Sequence, residues 1–212
     1  MKIMELFKII CPEEYKGLSV EIENFSDKMN VNGKSLLVFS VLNVEERKAY
    51  EKSKNKYTFV GNTESIKIPD MEVDKFYSLA KEKDLSGSYN LVMKKLKKYC
   101  NKIPEAYVYT AHGLLHELGH YKQYLDRDRN VYDYVSWCKI EQKENIAKLN
   151  KIMQEIRNRI ETSKKHFDVT KRERVKLEAN AREYRNIPKE KNADEFAYKN
   201  IQEAVNKIQN YL

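Results

Sequence analysis

Residues 116–120 read His116-Glu117-Leu118-Gly119-His120, two imidazoles four positions apart with a carboxylate beside the first. On an α-helix, positions i and i+4 lie one above the other, with Cβ atoms about 5–6 Å apart. Both rings can then reach one zinc-sized cation at about 2.0–2.1 Å. Glu117 sits about 100° further round the helix. It flanks the ion rather than binding it, and from there a carboxylate can serve as general base on a water. The chemistry open to these residue types at this spacing is metal-assisted hydrolysis. The competing reading is an amphipathic core helix with solvated histidines.

A helix must carry the motif, and the flanking residues supply one. Ala111, Leu114, Leu115, Leu118 and Leu125 form an apolar stripe at helical spacing, and Pro104-Glu105 has the form of a helix start. Gly113 and Gly119 each cost such a helix about 1 kcal/mol against alanine, which implies close approach of a neighbouring strand or loop. His112 continues the series one turn earlier. Eight residues of helix rise about 12 Å, so His112 and His120 cannot share an ion. His112 is read as a neighbour of the ligands or as a surface residue.

A catalytic zinc site usually takes three protein ligands and leaves a fourth position open. Of the 4 histidines only His166 remains, and it lies in the basic stretch Lys164-Lys165-His166-Phe167, where a surface role is expected. Cys11, Cys100 and Cys138 show no paired ligand spacing and are expected as buried or partly buried thiols. An acidic residue is the better candidate. Pro188 opens a helix that continues through Ala193, Phe196, Ala197, Ile201, Ala204, Val205 and Ile208. Glu190 falls in its first turn and Asp194 one turn later on the same face. Glu190 can coordinate the ion, while Asp194 can accept the free ring N–H of a ligand histidine and fix its tautomer. Favourable acidic charge at a helix N-terminus would explain the same pair without a metal. Glu195 is the near competitor for the ligand.

Together the two motifs resemble those of gluzincin-type zinc metallopeptidases, nearest to the ImmA/IrrE-like peptidases of phages and plasmids. The residues that carry the likeness are His116, Glu117 and His120, then Glu190, Ala193, Asp194, Phe196 and Ala197. The resemblance implies zinc held by His116, His120 and Glu190, with Glu117 as catalytic base. It also implies limited proteolysis of a regulatory protein. The chain departs from the family pattern in placing 69 residues between His120 and Glu190, where a few tens are usual.

The implied fold is α+β and mainly helical: a zincin-like core, meaning a small antiparallel-edged sheet plus the active-site helix, with a long helical hairpin inserted between the two metal motifs. Residues 1–127 would form the first part, 128–186 the insertion, and 187–212 a C-terminal helix bearing the third ligand, all in one compact domain. Ser35–Leu42 reads as a buried strand, and 56–60 and 65–69 as two more around Gly61-Asn62. A zincin needs an edge strand to align substrate, and Ser65–Pro69 is the expected edge. Val73–Lys83 and Tyr89–Lys102 read as helices. No glycine or proline occurs between Gly119 and Pro188, and Ile146, Leu149, Met153, Ile156 and Ile160 recur at helical spacing. A second helix is expected from about Thr170 to Arg185, with reversal near Phe167-Asp168.

The chain has 212 residues, 34% of them charged, and a formal net charge of +8. Residues 139–191 hold 16 Lys/Arg against 9 Asp/Glu, so the positive excess sits in the insertion. Such a projection can steer an acidic protein or peptide substrate, or contact nucleic-acid phosphates, or simply be a solvated lysine-rich face. No helix-turn-helix, zinc-finger or RNA-binding signature accompanies it. No segment approaches the roughly 18 apolar residues of a membrane span, and residues 1–16 are not read as a signal peptide. A cytoplasmic location is the expectation from three unpatterned cysteines. The rival function is a basic helical adaptor for protein or nucleic acid with a structural or vestigial metal site. For the oxyanion donor, Tyr121, Tyr184 and His112 stay open.

Overall fold

The computed structural model describes residues 1–23, 37–41, 64–84, 87–163 and 169–212. The expected strand at 56–60, the turn at Gly61-Asn62, the reversal at Phe167-Asp168 and His166 all lie outside them. The described chain is mainly helical, with one small mixed sheet.

Helix α1, Ile3–Ile10, buries Ile3, Leu6, Phe7 and Ile10, the one-face spacing of an amphipathic helix. Its start is tied down by the Lys2 backbone N–H, which donates to Glu5 Oε2 at 2.8 Å. Strands β1 (Ser19–Glu23), β2 (Val38–Ser40) and β3 (Ser65–Pro69) form a sheet in the order β1-β3-β2. β1 runs parallel to β3, with Val20 opposite Ile66 and Ile22 opposite Ile68, while β2 runs antiparallel, with Phe39 opposite Ile66. Ser65–Pro69 is therefore the central strand of the described sheet, not its edge. Its burial explains why: Ile66 and Ile68 are fully covered, as a strand paired on both sides and packed by helices must be. Among the described residues the outer strand on the antiparallel side is β2, a short piece of the expected Ser35–Leu42 run.

Helices α2 (Val73–Lys83) and α3 (Ser88–Leu96) follow, the latter ending in a 3-10 turn at Lys97–Tyr99. Helix α4, Glu105–Leu125, begins after Pro104 and buries Ala111, Leu114, Leu115 and Leu118. Helix α7, Pro188–Tyr211, has Pro188 in its first turn and buries Ala193, Ala197, Ile201, Ala204, Val205 and Ile208. These two stripes face each other, with α1 and the sheet closing the core. Gly119 permits the approach. A Cβ there would stand 2.8 Å from Ala193 Cα and 2.9 Å from Ala193 O. The close neighbour is thus a helix, not the strand or loop expected. At Gly113 the neighbour among the described residues is the Leu37 side chain, at 3.0 Å, on the segment that leads into β2, in line with the strand or loop expected.

Between α4 and α5 the chain breaks without glycine or proline. Asp128 and Arg129 take φ of 51° and 55°, in the left-handed region, which costs a non-glycine residue roughly 1–2 kcal/mol. The Arg129 N–H donates to Tyr124 O at 3.2 Å, and the Tyr124 hydroxyl donates to Arg129 O at 2.8 Å. α5, Val131–Ser163, has 33 residues and so runs about 50 Å. It pairs with α6, Lys171–Asn186, to make the arm. Arg159 holds Glu173 through two nitrogens, at 2.7 and 3.0 Å, and Thr170 caps α6 in a reciprocal box with Glu173. No helix among the described residues is long and apolar enough to cross a membrane.

Candidate metal centre

Helix α4 carries His116 and His120 on the face turned to α7, and the first two turns of α7 carry Glu190 and Asp194 on the face turned back. The contact at Gly119 and Ala193 sits between the two pairs, so the close helix packing itself brings the polar groups together. Glu190 and Asp194 are buried, at 3% and 6% exposure.

Ligand atoms of His116, His120 and Glu190 all lie within 4.8 Å of one another. Glu190 Oε2 stands 3.2 Å from His116 Nε2 and 3.6 Å from His120 Nε2. Ligands bonded to zinc at about 2.0–2.1 Å in a tetrahedron stand roughly 3.3 Å apart, so this donor set fits the ion. The other Glu190 oxygen is taken. Oε1 accepts from the Tyr184 hydroxyl at 2.7 Å and from Gln142 Nε2 at 3.2 Å, and Lys189 Nζ lies 3.3 Å away.

Each histidine is oriented through its second nitrogen. His116 Nδ1 lies 2.8 Å from Asp194 Oδ1. The N–H therefore donates there, which leaves Nε2 as the nitrogen that faces the cluster. Arg185 Nη1 donates to the same Asp194 oxygen at 2.6 Å. His120 Nδ1 lies 3.2 Å from Gln123 Oε1, and the Gln123 amide donates to Lys189 O at 2.7 Å. His120 is thus tied to the residue preceding Glu190.

The field is set for positive charge. Burial opposes a charged His116, but the Asp194 and Glu190 carboxylates more than offset it and raise its pKa to about 9. Burial also opposes charge on Glu190, yet hydrogen bonds from His116 and His120 hold its carboxyl well below the usual range. Asp194 is likewise lowered to about 2, against burial, by His116 and Arg185.

Glu117 lies beside the cluster and outside it. The Phe39 backbone N–H, on β2, donates to Glu117 Oε2 at 2.7 Å. His112 is not at the surface: it is 3% exposed, packed on the Tyr198 ring, and 3.9 Å from Asp194 Oδ1, with Nε2 lacking a hydrogen-bond partner. Burial lowers its pKa to about 3, so it stays neutral. Glu195 points to solvent, 3.8 Å from Lys191, and takes no part. Of the three donors left open, Tyr121 packs in the core against Tyr15 and Phe39, and only Tyr184 brings its hydroxyl to the cluster. Cys11, Cys100 and Cys138 are free thiols, and none of them belongs to the ligand group.

Sequence reasoning missed Gln123, Gln142, Arg185 and the Phe39 N–H. Gln123, three residues after His120 on the same face, carried a usable signal; the others did not. No family model, no curated protein and no solved structure matches this chain.

Proposed function

We propose that this protein is a zinc-dependent peptidase with a zincin-type core, cutting a regulatory protein at limited sites, as the likeness of its two motifs implies. The observation that carries the reading is the convergence of two imidazoles, His116 and His120, with the Glu190 carboxylate, which lies 74 residues from His116 in sequence, beside a carboxylate that stays out of the cluster. His116 Nε2, His120 Nε2 and Glu190 Oε2 would hold the ion. Zinc supplies Lewis acidity when bound, lowering the pKa of a water and polarising a carbonyl.

The protein's own groups divide the remaining work. Glu117 is anchored through Oε2 by Phe39, and its Oε1 takes the proton of the attacking water and hands it to the leaving amine. Antiparallel pairing turns the N–H and C=O of one residue to the same side. The Phe39 carbonyl therefore faces the same edge as its N–H. We assign it as acceptor for a substrate backbone N–H, with β2, rather than β3, aligning the extended chain. Asp194, with Arg185 behind it, holds the His116 tautomer.

Metal content by mass spectrometry of wild type, His120→Ala and Glu190→Ala tests the site. About one zinc per chain is expected in wild type, with loss in both variants; a wild type that takes up no zinc refutes the reading. Glu117→Gln should keep its zinc and lose proteolysis by roughly 10²–10⁴-fold. Full activity in that variant would remove Glu117 as the base.

A further inference from the structure

None of the three candidate ligands lies on the arm, yet the base of the arm reaches one of them. Gln142 on α5 and Tyr184 on α6 converge on Glu190 Oε1, and the Gln142 amide also donates to the Tyr184 hydroxyl at 3.3 Å. One turn further out, the two helices are joined by a buried amide pair. Asn145 Nδ2 donates to Asn180 O at 3.0 Å and to Asn180 Oδ1 at 3.3 Å, while Asn180 Nδ2 donates back to Asn145 Oδ1 at 3.4 Å. Both residues are 6% exposed.

A buried amide pair tolerates one alignment of its helices. Sliding either helix by a residue moves it about 1.5 Å and turns it about 100°, leaving amides buried without partners. Fixing the register between paired helices is the best-attested role of such residues. From Asn145 to Gln142 is three residues back, and from Asn180 to Tyr184 four residues on. Because α5 and α6 run antiparallel, both steps go one turn the same way along the seam, onto the faces that meet Glu190. The exposed ion pairs of the arm, Lys148 with Glu183 and Lys176 with Glu155, are solvated and bind too weakly to impose a register.

We propose that the Asn145–Asn180 pair is the positioning device for the third ligand. It locks the register of the arm so that Gln142 and Tyr184 together grip Glu190 Oε1 and aim Oε2 at the two histidines. The proposal rests on the metal reading above. It makes the long insertion part of the site rather than an appendage to it.

Four proteins test it: wild type, Tyr184→Phe, Asn145→Leu/Asn180→Leu, and the combination of all three changes. Each is measured for zinc affinity by competition with a chromophoric chelator and for thermal melting without metal. Groups that orient a ligand are worth 10–100-fold in metal affinity. Tyr184→Phe and the double leucine variant are each expected to bind zinc about 10-fold more weakly. The metal-free melting temperature of the double variant should hold or rise, since apolar replacement of a buried polar pair is often neutral or better. In the leucine background, Tyr184→Phe should cost nothing further. A merely structural role would move melting and leave the affinities alone. Wild-type affinity in the double leucine protein overturns the lock, as does an equal loss from Tyr184→Phe in both backgrounds. If the double variant does not fold, Asn180→Ala takes its place, with a several-fold loss of affinity expected and an unchanged affinity overturning the proposal. No zinc in wild type would sink the metal reading itself, a result distinct from tight zinc in every variant.

Discussion

Apart from the polar cluster built around His112, His116, His120, Glu190 and Asp194, the buried faces of α4 and α7 are mostly apolar, with Leu114, Leu118, Ala197, Ile201 and Val205 fully covered. Along the described parts of α5 and α6 the pattern differs. Ile156 and Leu177 are covered, Asn145 and Asn180 fill the next place on the seam, and Ile140 and Val175 stand 75% and 60% exposed. Hydrophobic burial, at roughly 25 cal/mol per Å², holds the body. The arm relies far more on hydrogen bonds and ion pairs, each of which contributes little net of the water it displaces. The arm should therefore open at a lower free energy than the body unfolds. The two regions meet at Glu190, which the body buries and the arm grips.

The comparison can be broken most forcefully in the body. Leu118→Ala removes a fully buried side chain and should lower global stability by about 2–5 kcal/mol, read by denaturant melting. Gly119→Ala forces a methyl group against the α7 backbone and should cost about 1–3 kcal/mol. Because it pushes His116 and His120 away from Glu190, it should also weaken zinc binding; an unchanged melting midpoint would mean that α4 and α7 are not in close contact there. In the arm, Ile156→Ala should fall at the low end of the range for such truncations, since a two-helix seam can collapse onto the gap. Its mark should be local: hydrogen exchange should quicken along α5 and α6 and stay unchanged in α4 and α7. Loss of protection in both regions at once would make body and arm one cooperative unit.

The smallest effect concerns acid. Arg159, followed by the Thr170 backbone and hydroxyl, lowers the Glu173 pKa to about 2. A carboxylate whose folded pKa is depressed stabilises the fold above its ordinary pKa and loses that contribution as pH falls through the folded value. Exchange protection of the arm, corrected for intrinsic rates, should decline from about pH 4.5 toward about 2 in wild type. Glu173→Gln should start lower and show no such decline. Parallel curves for the two proteins would discount the Arg159–Glu173 contact.

The grouping of residues within single helices was legible in the sequence and register was not. Helical periodicity, with Pro104 and Pro188 at the starts, located α4 and α7, and the absence of glycine and proline between Gly119 and Pro188 announced the arm. The spacing of His116 to His120 and of Glu190 to Asp194 is written within single helices, so those groups could be named. Strand order could not, because the short strands of this sheet differ little in pattern while their pairing depends on everything packed around them. Of the two readings of His112, neighbour of the ligands or surface residue, the structure favours the first, and the sequence could not choose because an imidazole at the end of a polar series gives no hint that Tyr198 will cover it. The contacts of Tyr184, Gln142 and Arg185 are set by how helices from distant parts of the chain align. The Phe39 N–H belongs to the backbone and has no residue signature at all. The bend at Asp128 and Arg129 puts two consecutive non-glycine residues in the left-handed region, where aspartate is tolerated but arginine is uncommon.

The pairing of α4 with α7 also has a consequence in time. His116 and Glu190 are 74 residues apart, and ribosomes extend a chain by about 5–20 residues each second. For roughly 4–15 s, then, α4 exists without the helix that covers its apolar stripe and without the carboxylate that completes its polar cluster. Throughout that interval the nascent chain presents sticky surface and two unsupported imidazoles, with the arm already being made. A chaperone that shields α4 during synthesis would act on this interval, and would be released by the arrival of α7.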